Sequence, residues 1–212
     1  MKKNLYYLFV ILLFASCTQK KEYLFNGENL DGWTIHVEDS SVDPEDFFYV
    51  KDGVIETIGV PLGYIRTEKE YSDYHLHVEW CYPEEPTNSG VFLHTNGPDK
   101  IWPSYFQAQL KHENAGDFIV QNVGMIATVG DSTYAGAETG NIPVPKLHPS
   151  NENPAGQWNS FDITCEGNTI EIKVNGLLQN TATDCSVSKG GIGLQAEGSK
   201  IQFRNLWIES LN

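Results

Sequence analysis

Apolar and polar residues alternate with period two through much of this chain. In Tyr74-His75-Leu76-His77-Val78-Glu79-Trp80-Cys81, Leu76, Val78 and Trp80 share one face, and His75, His77, Glu79 and Cys81 the other. Val91 and Leu93 oppose Phe92 and His94 in the next such segment, and Phe106, Ala108 and Leu110 oppose Gln107 and Gln109 in the one after. Near the end of the chain, Ile192, Leu194 and Ala196 oppose Gln195 and Glu197. Phe161, Ile163 and Cys165 mark a further strand. Asp52-Gly53 and Asn175-Gly176 sit between apolar runs, where two residues at positive φ close a hairpin, so each predicts a β-turn joining two strands. No long segment has helical period. Short alternating strands with glycine-rich turns predict an all-β sandwich of two antiparallel sheets, a jelly roll. One segment reads differently: residues 141–156 carry Pro143, Pro145, Pro149 and Pro154 and predict a long loop, either a lid or a plain connection.

The amino terminus stands apart from this pattern. Lys2 and Lys3 precede an apolar run from Leu5 to Phe14 and then Ala15-Ser16-Cys17. The run is too short for a spanning helix, and small residues before a cysteine resemble a bacterial lipoprotein cleavage site. Residues 1–16 are thus expected to be a signal peptide, with Cys17 the lipidated first residue of a 17–22 tether and 23–212 one domain. That places the protein in the bacterial cell envelope, periplasmic or outer-membrane, with a membrane partner through its anchor. Composition narrows the remaining partners. The formal net charge of −14 becomes more negative once Lys2 and Lys3 are removed, a surface that repels nucleic acid. Cys81, Cys165 and Cys185 remain; the last two flank the second hairpin and are expected to pair if any do.

The polar faces carry His, Glu and Gln where a solvated sheet would carry Lys and Thr. Amides and carboxylates offer paired donors and acceptors to vicinal hydroxyls, and aromatic planes suit sugar rings. A carbohydrate groove and an ordinary wet sheet face both fit this pattern. On the groove reading, Glu79 and His94 are the candidate catalytic acid-base pair, and Asn88, Ser89, Trp102, Gln107, Gln109, His112, Gln195 and Glu197 the candidate substrate-binding residues. Glu79 with Glu197 would form the paired carboxylates common in glycosidic cleavage, and Glu113 and Asp117 are further candidates. The spacing of His and Cys suggests no structural metal site.

The segments LFNGENLDGW (24–33), EW (79–80), NSGVFLH (88–94), QAQLKHENAGDF (107–118), PAGQWNSFDI (154–163) and GGIGLQAEGSKIQFRNLWI (190–208) resemble the 3-keto-disaccharide hydrolase family. The resemblance spans nearly all of the chain beyond the leader. It implies a concanavalin A-like jelly roll and cleavage of glycosides oxidised at the third ring carbon, by hydrolysis or by elimination with hydration. A ketone acidifies the adjacent C–H, so a base, an enolate stabiliser and a leaving-group acid suffice. No cofactor is demanded, and a divalent metal aiding enolate formation stays open. Glu79, Asn88, Ser89, His94 and Gln109 match motif positions. Cys81 stands where the family has Arg, and Gln107 where many members have Glu. Gln cannot act as a base, so a non-catalytic carbohydrate-binding module on the same fold is the alternative, and a Gln107→Glu exchange asks whether the missing charge limits the rate.

Overall fold

A computed structural model describes residues 20–137 and 140–211. The expected signal peptide and Cys17 lie outside the described residues. Two antiparallel sheets account for the strands, which are numbered along the chain. The ten-stranded sheet has the order β11 (Ser132–Ala135), β10 (Ile126–Val129), β15 (Leu177–Thr183), β14 (Thr169–Val174), β13 (Asn159–Glu166), β6 (Tyr74–Cys81), β17 (Ile201–Ser210), β4 (Val54–Thr57) and β3 (Phe48–Lys51), with β1 (Glu22–Tyr23) added against β17. The seven-stranded sheet has the order β12 (Asn141–Val144), β9 (Phe118–Gln121), β8 (Ser104–Gln109), β7 (Gly90–Asn96), β16 (Gly191–Ala196), β5 (Gly63–Thr67) and β2 (Trp33–Val37). One turn of helix, α1 (Pro44–Phe47), is capped by the Asp43 carboxylate, which accepts from the backbone of Glu45.

Both dipeptide turns close hairpins as expected. Asp52 and Gly53 (φ 52° and 78°) join β3 to β4, and Asn175 and Gly176 (φ 46° and 80°) join β14 to β15. The acidic, proline-containing stretch between β6 and β7 carries the chain from one sheet to the other. The inward faces meet in a single core in which Leu76, Val78, Trp80, Phe161, Ile163 and Phe203 of the larger sheet face Val91, Leu93, Phe106, Ala108, Ile192 and Leu194 of the smaller. Trp80 and Phe161 pack with ring centroids 4.6 Å apart, and each fully buried side chain of this size contributes about 1.5–3 kcal/mol.

Two expectations are corrected here. Part of the predicted 141–156 loop is a strand: β12 pairs with β9 at the sheet edge, where the missing N–H of Pro143 costs no ladder bond. Cys81, Cys165 and Cys185 are all free thiols and buried. Cys165, packed in the core, has its thiol pushed up to about 12 by burial, so it behaves as a small apolar side chain.

Candidate functional site

The outward face of the seven-stranded sheet is not a solvated surface. Gln107, Gln109, Gln121 and Gln195 are only 2–8% exposed there. A buried amide without partners costs about 1–3 kcal/mol, so side chains of this kind must bond one another or a ligand. Gln107, Gln109 and Gln195 do bond one another. Nε2 of Gln107 donates to Oε1 of Gln109 at 2.9 Å and to Oε1 of Gln195 at 3.2 Å. Nε2 of Gln195 in turn donates to Oε2 of Glu197 at 2.8 Å. The Gln109 carbonyl oxygen also receives the backbone N–H of Leu110 (3.0 Å) and Lys111 (3.2 Å). Asn88 and Glu197 sit across an isolated antiparallel bridge, and Oδ1 of Asn88 is buried without a partner among the described residues.

These groups surround a polar pocket of about 160 Å³, whose wall also includes Trp102, Tyr105, Gln121 and Asn141. Tyr105 lies flat on Phe92, centroids 3.8 Å apart, and Trp102 meets the same ring edge-on at 6.2 Å. Tyr64 joins them, so an aromatic cluster separate from the main core fills one end of the sheet face. The segment carrying Trp102 is held down at both ends. Asp99 accepts from Arg66 at 2.7 and 3.0 Å and from the Tyr64 hydroxyl at 3.1 Å, and Asn122 donates to the carbonyls of Trp102 (2.9 Å) and Pro103 (2.8 Å). The Arg66 guanidinium, through these hydrogen bonds, holds the Asp99 carboxyl below its ordinary range. Burial, with Glu197 and Tyr64 nearby, pushes the Tyr105 phenol well above its usual value, so it keeps its proton at any working pH.

Of the residues singled out in the sequence, Asn88, Trp102, Gln107, Gln109, Gln195 and Glu197 line this pocket together. Glu79 and His94 do not join them. β6 belongs to the ten-stranded sheet, so Glu79 faces outward on the opposite side of the sandwich, where it accepts from Arg204 (2.6 Å) and Asn205 (3.0 Å) beside Trp158. Its carboxyl is held below the usual range; burial works against this, and the hydrogen bonds from Arg204 and Asn205 outweigh it. His94 sits where the β7 register shifts between Leu93 and Asn96, at φ 52°, and the irregularity turns its ring inward. There it packs edge-on against Tyr74 of the other sheet, 5.7 Å between centroids, with Nδ1–H donating to the Val187 carbonyl at 3.2 Å.

Ser89 is fully buried and ties its loop to the backbone of Gln195 at 2.7 Å, and His112 stands outside the pocket beside Glu152 at 3.5 Å. Asp117 bonds the backbone of Lys146, and neither it nor Glu113 lines the pocket. Alternation alone could have found Tyr105, which shares its face with Gln107 and Gln109, and Gln121, at the end of β9. Asn141 had no such signal.

A larger hollow of about 480 Å³ lies by Trp33 and Phe48, but its polar side chains Glu28, Asn29, Asp31 and Glu45 are exposed rim groups rather than convergent buried ones. Among the described residues no three His, Cys, Asp or Glu side chains gather as a metal site.

Residues 20–209 match the model of a family described as 3-keto-alpha-glucoside-1,2-lyase-like domain. A crystal structure from Parabacteroides distasonis, provisionally described as a glycosyl hydrolase, superposes with a TM-score of 0.65 at 22% identity over 91% of this chain and 94% of that one. The carbohydrate-binding module CBM66 from Bacillus subtilis superposes at 0.60 with 13% identity, over 89% of this chain and 100% of that one. A β-glucanase from Bacillus licheniformis does so at 0.55 with 14% identity, over 90% and 97%. At these identities the likeness establishes the fold, a two-sheet jelly roll that hosts enzymes and binding modules alike. No curated protein matches the chain.

Proposed function

Because this chain belongs to the 3-keto-alpha-glucoside-1,2-lyase-like family, we propose that it cleaves glycosides whose sugar ring carries a ketone at C3, with Glu197 as the base. The observation that carries this reading is the pocket's composition: Glu197 is the one carboxylate lining it among the described residues, facing amides that can hold ring oxygens. Its carboxylate removes the proton from C2, which the neighbouring ketone acidifies, and the electron pair moves onto the C3 oxygen as an enolate. Gln109, whose carbonyl is already engaged, keeps its NH₂ for that oxygen. Collapse of the enolate breaks the bond from C1 to the aglycone oxygen and forms the C1–C2 double bond. Tyr105, kept protonated by burial, gives a hydrogen bond to the departing oxygen, which takes its proton from water. Water then adds at C1 with a proton returning to C2, and the net result is hydrolysis.

Ligand sites for drug-sized molecules enclose about 300–1,000 Å³. A pocket of about 160 Å³, closed at one side by the Trp102 wall, suits a single ring at the end of a glycoside. With a lipid anchor at Cys17, which belongs to the same proposal, the pocket would open from the sheet opposite the one that β1 joins.

Incubation with a 3-keto-glucoside and, in parallel, with the unoxidised glucoside tests the proposal. Aglycone release from the first alone is expected. Release from neither, with calorimetry still detecting the sugar, would leave a binding module; equal release from both would place the chemistry elsewhere than the acidified C2–H.

A further inference from the structure

We propose that Gln107 is a positioning residue: it carries a hydrogen-bond polarity, set by two backbone N–H groups, through Gln195 to Glu197. The inference deepens the proposed function, since Glu197 is the base assigned there, but the polarity itself rests on geometry alone. A backbone N–H can only donate. Those of Lys111 and Leu110, the second shared with the Ser89 carbonyl at 2.9 Å, meet one side-chain atom of Gln109, which must therefore be its carbonyl oxygen. The group pointing at that oxygen from Gln107, 2.9 Å away, must then be its NH₂. The second proton of the same NH₂ meets Gln195 at 3.2 Å, so Gln195 turns its carbonyl inward and its own NH₂ toward Glu197, 2.8 Å away. Each side-chain amide has one donor end and one acceptor end, so reversing any of the three sets oxygen against oxygen or hydrogen against hydrogen somewhere along the row. Glu197 consequently receives a donor and presents its free oxygen to the pocket.

Gly90 completes the device. A Cβ at that position would lie 2.2 Å from Nε2 and 2.5 Å from Cδ of Gln107, so only glycine lets Gln107 lie across β7 to reach both neighbours.

The row treats two equal changes unequally. A carboxylate at position 109 accepts all three donors now reaching Gln109. A carboxylate at position 107 has none to give, faces the carbonyl oxygens of Gln109 and Gln195, and competes with Glu197 for one NH₂. Both positions are buried, on one strand and one face, so burial and charge alone would affect the two alike.

The test is carboxyl ¹³C NMR titration of Gln107→Glu and Gln109→Glu in the full chain, alongside steady-state kinetics on a 3-keto-glucoside. The carboxyl introduced at 107 is expected to titrate at least about two pH units above the one at 109. Gln107→Glu should lose about 10- to 100-fold in kcat at pH 7 and regain part of it on acidification through its own midpoint, where the protonated group recovers a donor. Coincident midpoints, or the higher midpoint at 109, would overturn the polarity. Turnover by Gln107→Glu at or above the wild-type level at pH 7 would overturn the positioning role. Gln107→Met, which keeps volume without charge or donor, covers the case in which a buried carboxylate prevents folding; it should lower kcat about 10-fold with KM changed less than threefold, and an unchanged kcat would count against the proposal. A wild-type chain that releases no aglycone sinks the proposed function, while the NMR arm still decides the polarity.

Discussion

Exchanging Glu197 for Gln should lower kcat on a 3-keto-glucoside by about 10²- to 10⁴-fold, the range contributed by a positioned general base. KM should move far less, because proton removal is an interaction of the transition state and not of the bound ground state. The fold has little reason to suffer. Glu197 is only partly buried, and the amide replacing it still offers an oxygen to Nε2 of Gln195. Steady-state kinetics with a melting curve on the same preparation separates the two effects. An unchanged kcat would remove Glu197 from the chemistry, and a matching exchange at Glu79, across the sandwich, should leave kcat within about threefold.

Acid should destabilise the folded chain in a window set by His94. Burial is the main cause that lowers its imidazole to about 4 from 6.5, against weaker opposition from the Val187 carbonyl and Asp73, and Nε2 has no partner among the described residues. Above pH 6.5 the ring is neutral whether the chain is folded or not. Between 6.5 and about 4 the unfolded chain binds a proton that the folded chain refuses, so stability falls as the pH falls and the loss is complete below the folded value. At about 1.4 kcal/mol per pH unit this amounts to about 3 kcal/mol, a large share of the stability of an ordinary domain. His94→Asn tolerates the positive φ and cannot titrate. Urea unfolding at pH 7 and pH 4.5 should therefore show a loss smaller by between 2 and 3 kcal/mol, roughly, in the variant than in the wild type. Asp162, Asp99 and Glu56, whose carboxyls partners hold below their usual values, also weaken the fold in acid but do so equally in both proteins. Parallel losses in the two would show that His94 is not the group responsible.

The same histidine marks where sequence reading ends. Period-two alternation correctly separated Leu76, Val78 and Trp80 from His75, His77 and Glu79, and it correctly grouped Gln107 with Gln109 and Gln195 with Glu197. Turn chemistry found both hairpins because Asp-Gly and Asn-Gly fix a local backbone shape. Alternation says which side chains point away from the core, but a sandwich has two outward faces that look in opposite directions. β6 pairs with β13 and β17, strands far along the chain, and no local signal assigns it to them rather than to the sheet of β7 and β8. Glu79 and Gln107 thus look alike in sequence and stand on opposite sides of the molecule. His94 was lost differently: a single irregularity in β7 reverses its direction, and such a bulge leaves no trace in the apolar pattern. The glutamine at 107, which in sequence reads as a lost base, is in the structure a side chain whose NH₂ reaches both Gln109 and Gln195.

The most direct measurement is turnover of a 3-keto-glucoside in D₂O, with the released sugar analysed by proton NMR. Abstraction at C2 followed by hydration predicts aglycone release with deuterium at C2 of the product, abolished together with release in Glu197→Gln. Release that leaves the original proton at C2 would contradict the account, since the bond broken at C1 would then owe nothing to a base in this pocket.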